Sequence, residues 1–132
     1  MADPTQAFKD ATAQVAAIGQ DLVEHVKSGA VDDQPLWDRH FDPGFESVEA
    51  DGSRWQGREQ VKEKCDWWLG QFEVHSCEPD GPYVYPGGFA VKYEMDIEAR
   101  DGSMPRTRMR EIGFYTVENG KVVREIFMSP PQ

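Results

Sequence analysis

The chain has 132 residues, 39% of them hydrophobic and 11% aromatic, enough to bury a sizeable core in one globular domain spanning residues 1–132. Fourteen basic against 24 acidic side chains leave a net charge of −10, which repels phosphate backbones and anionic head groups and argues against nucleic acid and membrane surfaces as partners. No apolar stretch approaches the roughly 20 residues that cross a bilayer, and MADPTQAFKD lacks the basic-then-apolar pattern of a secretory signal.

Asp3-Pro4-Thr5 joins a short capping side chain to a proline suited to a first helical turn. From there Phe8, Ala11, Val15, Ile18, Leu22 and Val26 recur every three or four residues, predicting a long helix with one apolar stripe that stops at Ser28-Gly29. Pro35 opens a shorter helix through Leu36, Trp37, His40 and Phe41, and Asp42-Pro43-Gly44 stops it. Phe45 to Ala50 reads as a strand, Asp51-Gly52 as a turn and Ser53 to Gln56 as a short return. A third helix follows Gly57, with Val61, Cys65, Trp68 and Leu69 as its buried stripe and Gly70 at its C-terminus.

Everything after Gly70 reads as strands. Phe72 to Glu78 precedes the break Asp80-Gly81-Pro82 and a short run Tyr83 to Tyr85. Pro86-Gly87-Gly88 turns the chain into Phe89 to Arg100, and Asp101-Gly102 turns it into Arg106 to Val117. Asn119-Gly120 is a strong two-residue hairpin signal and leads into Lys121 to Met128. Strands joined by short turns make an antiparallel sheet, and three helices cover only one of its faces. On the strand from Phe89, the residues Phe89, Val91, Tyr93, Met95 and Ile97 alternate with Ala90, Lys92, Glu94, Asp96 and Glu98. The apolar set faces the helices, and a curved sheet closed in this way makes a cone with a cavity inside. The two cysteines, Cys65 and Cys77, are too few for a disulfide framework and read as reduced thiols of a cytoplasmic protein.

In this order, the segments FDPGFESVEADG, GREQVKEKCDWW, EVHSCEPDGPYV, FAVKYEMDI and REIGFYTVENGKVVREIF resemble the nuclear transport factor 2-like superfamily and, within it, the SnoaL-like proteins. The resemblance runs from Leu36 to Met128. It implies an α+β cone, three helices packed on a strongly curved antiparallel or mixed sheet enclosing a cavity, and a homodimer formed through the outer face of that sheet. Relatives of this kind include ketosteroid isomerases, polyketide cyclases, dehydratases, epoxide hydrolases and proteins that only bind or associate, so the fold does not choose a reaction.

Strand parity places polar side chains among apolar ones: Glu49 with Phe45 and Ser47, Glu111 with Gly113 and Tyr115, and Glu125 with Val123 and Phe127. The ketosteroid isomerases, which this layout resembles, carry their base on the first strand and an oxyanion donor on the penultimate one. Those positions fall here on Glu49 and on Gly113, which has no side chain, with Glu111 two residues earlier. The isomerase tyrosine of the first helix has no counterpart. Lys64 borders the buried stripe of the third helix, and His75 lies in the run Glu73-Val74-His75; the SnoaL-like proteins it resembles share that lysine, the neighbouring tryptophans and the Glu-Val-His run.

The candidate acid/base group is therefore Glu49, Lys64, His75, Glu111 and Glu125, with Glu49 as principal base and Lys64 and His75 as its electrophilic partners. Trp37, His40, Trp68, Phe89, Val91, Tyr93, Met95, Tyr115 and Phe127 are the expected ligand-binding wall. Cys65, His75 and Cys77 lack the spacing of a metal site, and no phosphate-cradling loop or nucleophile elbow occurs, so neither metal nor cofactor is expected. Two functions remain open. One is acid/base catalysis on a small, mostly apolar molecule by a carboxylate whose pKa burial raises, of isomerase, cyclase, dehydratase or hydrolase type. The other is a non-catalytic ligand-binding or association domain whose carboxylates hold a cationic group or pair with Lys64. Saturation of Lys64 by the glutamates discriminates between them.

Overall fold

In the computed structural model, residues 3–131 are described. The elements run α1 (Pro4–Lys27), α2 (Gln34–His40), β1 (Phe41–Val48), β2 (Arg54–Gln56), α3 (Arg58–Gln71), β3 (Phe72–Tyr85), β4 (Gly88–Ala99), β5 (Thr107–Glu118) and β6 (Lys121–Met128). The six strands form one curved, open sheet in the order β2-β1-β6-β5-β4-β3. Only β1 and β6 pair in parallel; the other neighbours are antiparallel. The architecture is an α+β cone of three helices on a mixed sheet.

Local chemistry sets the helix ends. The Asp3 carboxylate accepts a hydrogen bond from the Thr5 N–H at 3.0 Å, occupying one of the amides that the first turn leaves unpaired. At the other end Gly29 adopts φ +75°, a conformation that costs a residue without a Cβ least. The stripe of α1 is buried at Val15, Ile18 and Leu22, while Phe8 and Ala11 in its first two turns are exposed. Thr12, Gly19 and Val23 complete the buried face.

Two boundaries differ from the sequence pattern. Phe41 belongs to β1, not to α2, and Asp42-Pro43-Gly44 lies inside that strand as a register shift against β6. The Gly57 N–H donates to the Phe45 carbonyl at 2.9 Å and anchors the strand beyond the shift. The runs Phe72 to Glu78 and Tyr83 to Tyr85 are one strand, β3, interrupted between Asp80 and Tyr83 but paired with β4 on both sides. A second shift, between Thr116 and Val117, brings Val122 opposite Val117 and fully buries it. Val122 thereby takes the core place that alternation assigned to Val123, which is half-buried.

The core lies between the inner face of the sheet and the helices. Val15, Ile18 and Leu22 of α1 meet Phe89 and Val91 of β4, while Leu36 and Trp37 of α2 pack with Phe41 and Phe45. Trp37 and Phe41 approach the Phe45 ring at centroid distances of 5.4 and 4.9 Å. Helix α3 is lightly seated: Val61 is buried, whereas Cys65, Trp68 and Leu69 are half-buried. Close approach of α1 to the sheet depends on Gly19, where a Cβ would stand 2.7 Å from the Pro82 Cβ and 3.2 Å from the Phe89 ring. The Pro82 ring cannot rotate away, so Gly19→Val is expected to destabilise the fold by about 1–3 kcal/mol, read as a lower urea midpoint with an unchanged m-value.

Candidate functional site

Register determines which side chains meet inside the cone. Across β4 and β5, Tyr93 stands opposite Glu111 and Val91 opposite Gly113. Across β5 and β6, Gly113 stands opposite Phe127 and Tyr115 opposite Glu125, and Ser47 of β1 neighbours Glu125 on the far side. Paired residues share a face, so one inner surface carries both the aromatic and the acidic set. With Trp37, Phe41 and Lys64 from the helical side and β1, they line a cavity of about 190 Å³. That exceeds the ~150 Å³ that accepts benzene and falls short of the ~300 Å³ at which drug-sized sites begin. The space suits a molecule of one ring.

Lys64 reaches in from α3 and commits two of its three N–H donors. Its Nζ donates to Ser47 Oγ at 2.8 Å and to Glu49 Oε1 at 2.6 Å. It also lies 5.4 Å from the Trp55 ring centre and 5.3 Å from that of Phe127. Burial alone would draw its pKa down; the charge of Glu125 and the hydrogen bond and charge of Glu49 outweigh burial and hold it above the ordinary value.

The glutamates divide accordingly. Glu49, just past the end of β1, turns its carboxylate to Lys64 and stands at the rim, outside the residues that line the cavity. Glu111 and Glu125 line it and make no hydrogen bond among the described residues. Glu125 is only 7% exposed, and every fully buried side-chain oxygen or nitrogen described has a partner, so the Glu125 carboxyl oxygens open onto cavity space. Burial, reinforced by the charges of Asp33, Glu49 and Glu111 against the opposing Lys64, raises the Glu125 pKa to about 8. Burial and the Glu49 charge raise Glu111 to about 7, with Lys64 opposing.

Gly113, which cannot donate from a side chain, makes room for one that does. A Cβ at Gly113 would lie 2.8 Å from the Tyr115 hydroxyl and 3.0 Å from its ring. The Tyr115 ring therefore lies over the glycine, stacked on Phe89 at a centroid distance of 4.8 Å, and its hydroxyl hydrogen-bonds that of Tyr93. A phenol thus stands where a residue-113 side chain would. Both phenols are held neutral: burial raises Tyr93 against the opposing hydrogen bond from Tyr115, and burial raises Tyr115 with Tyr93 and Glu125 adding to it.

His25 and Asp33 also line the cavity and were not among the expected residues. His25 Nε2 and Asp33 Oδ1 share a hydrogen bond at 2.9 Å. Burial raises the Asp33 pKa, with the His25 hydrogen bond opposing. The spacing of His25, three residues after Leu22 on the apolar face of α1, was the available signal. Asp33 had none, because an aspartate before Pro35 reads as a helix start.

Several expected site residues lie elsewhere. Trp37, Tyr93, Met95, Tyr115 and Phe127 line the cavity, but Phe89 and Val91 are fully buried in the core beneath it. His40 is turned away to Asp21 at 2.7 Å, and Trp68 packs on Phe72 at 5.1 Å. His75 lies on the outer face of the sheet, bonded to Glu98 at 2.6 Å, because it follows the inward-facing Val74, which stands opposite Ile97. The register shift at His75 then sends Cys77 inward opposite Met95. Cys65 and Cys77 are therefore separated from His75 by the sheet, and burial raises the two thiols to about 12 and about 11. The ligand atoms of Glu73, His75 and Glu98 converge within 4.8 Å on the outer face, a one-histidine, two-carboxylate set able to hold a divalent ion.

Comparison with known proteins agrees with this geometry. A sequence model of the SnoaL-like domain matches residues 11–129. A proposed SnoaL-like polyketide cyclase from Mesorhizobium loti is 32% identical, superposes with a TM-score of 0.77, and the match covers 86% of this chain and 97% of that one. A second proposed SnoaL-like polyketide cyclase, from Jannaschia sp. CCS1, is 14% identical with a TM-score of 0.71 over 98% of this chain and 91% of the other. A Catenulispora acidiphila protein with a ketosteroid isomerase-like fold, solved with trimethylamine, is 15% identical with a TM-score of 0.63 over 88% and 81%. No curated protein matches. Among the described residues no helix is long and apolar enough to cross a membrane.

The raised pKa of Glu125 has a consequence for stability. Between its ordinary value of 4.5 and about 8 the folded chain keeps a proton that the unfolded chain releases, so stability falls as pH rises through that window. Glu125→Gln removes the penalty. The variant should match wild type near pH 4.5 and gain on it steadily toward pH 8, where the difference is on the order of 4 kcal/mol at most. Urea unfolding at pH 4.5, 6 and 8 checks this; a gap that stays constant or narrows would refute it.

Proposed function

The chain belongs to the SnoaL-like domain family, and from that premise and the geometry of its cavity we propose that it binds a small, largely apolar organic molecule there and moves a proton on it. The observation that carries this reading is the Glu125 carboxyl, nearly buried, without a hydrogen-bond partner and opposite Tyr115. A carboxyl with a pKa of about 8 is mostly protonated near neutrality and is poised to give or retake a proton there. The Tyr93–Tyr115 hydroxyl pair has one O–H more than its mutual hydrogen bond uses, and that proton can stabilise a developing oxyanion. The role expected of Glu49 passes in this reading to Glu125, with Glu111 as its neighbour. Glu49 instead fixes Lys64, whose positive charge restrains both pKa values from rising further.

Proton exchange tests the proposal directly. Purified protein in D2O should accelerate α-proton exchange of a one-ring ketone, followed by NMR across a panel with and without a basic nitrogen. Glu125→Gln should lose about 10²–10⁴-fold of that acceleration, while Glu49→Gln loses less. The closed Lys64–Glu49–Ser47 cluster favours a second reading, a binding domain without turnover. Cavity occupancy without exchange above the buffer rate for any ketone would decide for it.

We also propose a homodimer through the outer face of the sheet. Register sets Tyr83, Ala90, Phe114 and Ile126 in one row across four strands on that face, continued on β1 by Val48, which is already buried within the chain. Next to it Ile112 pairs with Met128, and both are exposed. The charges at the other end of β4 are taken up locally, Asp96 by Arg106 and Glu94 by Arg108, leaving the apolar row as the surface that association would cover. Sedimentation at micromolar concentration should give twice the chain mass, and Phe114→Glu should give a monomer. A monomeric wild type would overturn the proposal.

A further inference from the structure

The charges around the cavity do not balance. Asp33, Glu49, Glu111 and Glu125 supply four carboxyl groups, and Lys64 is the one lysine or arginine among the residues that line the space. Two of its three N–H donors are engaged by Ser47 and Glu49, and it makes no hydrogen bond to Glu111 or Glu125 among the described residues. Asp33 is held by His25. Glu111 and Glu125 remain, Glu111 half-buried and Glu125 buried to a degree that carboxylates seldom reach without a partner. Water satisfies an open carboxyl, but an apolar wall leaves few other places for that water to bond. The cavity is therefore incomplete with respect to positive charge.

The geometry limits what can supply it. Among the described residues, the His, Cys and carboxylate ligand atoms converge within 4.8 Å in one place, Glu73, His75 and Glu98 on the outer face. Those of the cavity do not converge, so a bare metal ion cannot gather them. A cation with bulk can. Glu111 and Glu125 sit diagonally on adjacent strands with the Gly113–Phe127 pair between them and Tyr115 opposite Glu125. Phe127 already has one ammonium, that of Lys64, within cation–π range, and Trp37, Phe41 and Tyr115 add further ring surface around the same space.

We propose that the ligand of this cavity is a small organic cation, an ammonium group on an apolar body of one ring or less, seated between Glu125 and Glu111 against the rings of Trp37, Tyr115 and Phe127. The inference rests on the small-molecule site argued above and names its ligand class. Binding the cation ionises Glu125, largely protonated in the empty cavity near neutrality, and the remaining protonated fraction of Glu111, so affinity rises with pH and protons leave on binding. The titratable and charged groups around Glu125 are Lys64 and Cys65 from α3, Asp33 and its partner His25 from the α2 and α1 side, Glu49 beyond β1, Glu111 and Tyr115 from β5, Tyr93 from β4 and Cys77 from β3.

Three probes of one size separate the possibilities: benzylammonium, benzyl alcohol and benzoate, titrated into the full chain by calorimetry at pH 6, 7 and 8 in two buffers of different ionisation heat. Benzylammonium, protonated throughout, should bind about tenfold tighter at pH 8 than at pH 6 with net proton release, and at least tenfold tighter than either other probe. Glu125→Gln, expected to fold more stably than wild type, should weaken it about tenfold or more, and the double variant Glu111→Gln/Glu125→Gln should abolish preference for the cation. Benzyl alcohol or benzoate binding as tightly would overturn the cation class and leave the small-molecule site standing. Affinity for benzylammonium that is flat or falling with pH, or indifferent to both variants, would overturn the seat at Glu125. No binding by any of the three would overturn this inference together with the reading of the cavity as a site for one-ring molecules.

Discussion

The engagement of a single lysine decides the chemistry of this molecule. Lys64 enters a space bordered by four carboxyl groups and directs two hydrogen bonds to Ser47 and Glu49. A buried ammonium needs such partners, because the attraction must offset the loss of hydration. Having found them in the buried Ser47 and in Glu49 at the rim, it reaches Glu111 and Glu125 only through space. In those two carboxyls burial, reinforced by the Glu49 charge on both and by Glu111 on Glu125, outweighs Lys64 and drives them toward neutrality. Had Lys64 bonded Glu125 directly, the cavity would hold a closed ion pair and an ordinary rim glutamate. The position of Ser47 one strand away from Glu125 therefore sets which carboxyl is available.

The fold around this site is written locally, and much of it can be read there. Alternation along Phe89 to Ile97 assigns the inner face of β4, and the Asn119-Gly120 turn fixes β5 against β6, with Asn119 at φ 51° and Gly120 at φ 76° as a hairpin of that type demands. Once those two strands are in register, Glu111, Tyr115, Glu125 and Phe127 must share a surface, and parity in the sequence is enough to say so. What it does not convey is length-independent geometry. Pro43-Gly44 reads as a stop, yet the chain passes through it in strand form because β6 offers hydrogen bonds on the far side. His75 shows a different limit: its alternation with Val74 points outward, and it was placed inside by resemblance to relatives, not by its own pattern.

Residues that cap and residues that line are hard to tell apart from sequence, since the same short polar side chains do both. Asp33 precedes Pro35 as a capping residue would, but its side chain makes no capping hydrogen bond to α2 and turns to His25 instead. Gly113 illustrates the converse. In a strand interior a glycine usually weakens pairing, and as a site residue it offers nothing. Only the neighbouring ring shows its use: Tyr115 can lie flat across it and bring a phenol to Tyr93. An alanine there would displace that ring while leaving the strand intact.

A protein of this size can bury Glu125 only because other contacts offset the cost. A carboxyl held near pH 8 withdraws several kcal/mol from the folded state at neutral pH, a large share of the 5–15 kcal/mol typical of small domains. The offset comes from the aromatic cluster of Trp37, Phe41 and Phe45 at one end of the cavity and Phe89 stacked on Tyr115 at the other. Trp37 and Phe41 from the first cluster and Tyr115 from the second line the same cavity as the carboxyls, so the contacts that stabilise the cone are also the walls around Glu125. Stability and function are coupled through that shared surface. Loosening the wall to admit water would relieve the carboxyl and stabilise its charged form, but it would lower the pKa on which proton transfer depends. The strain of the site is thus maintained by the packing that pays for it, and neither can be relaxed without losing the other.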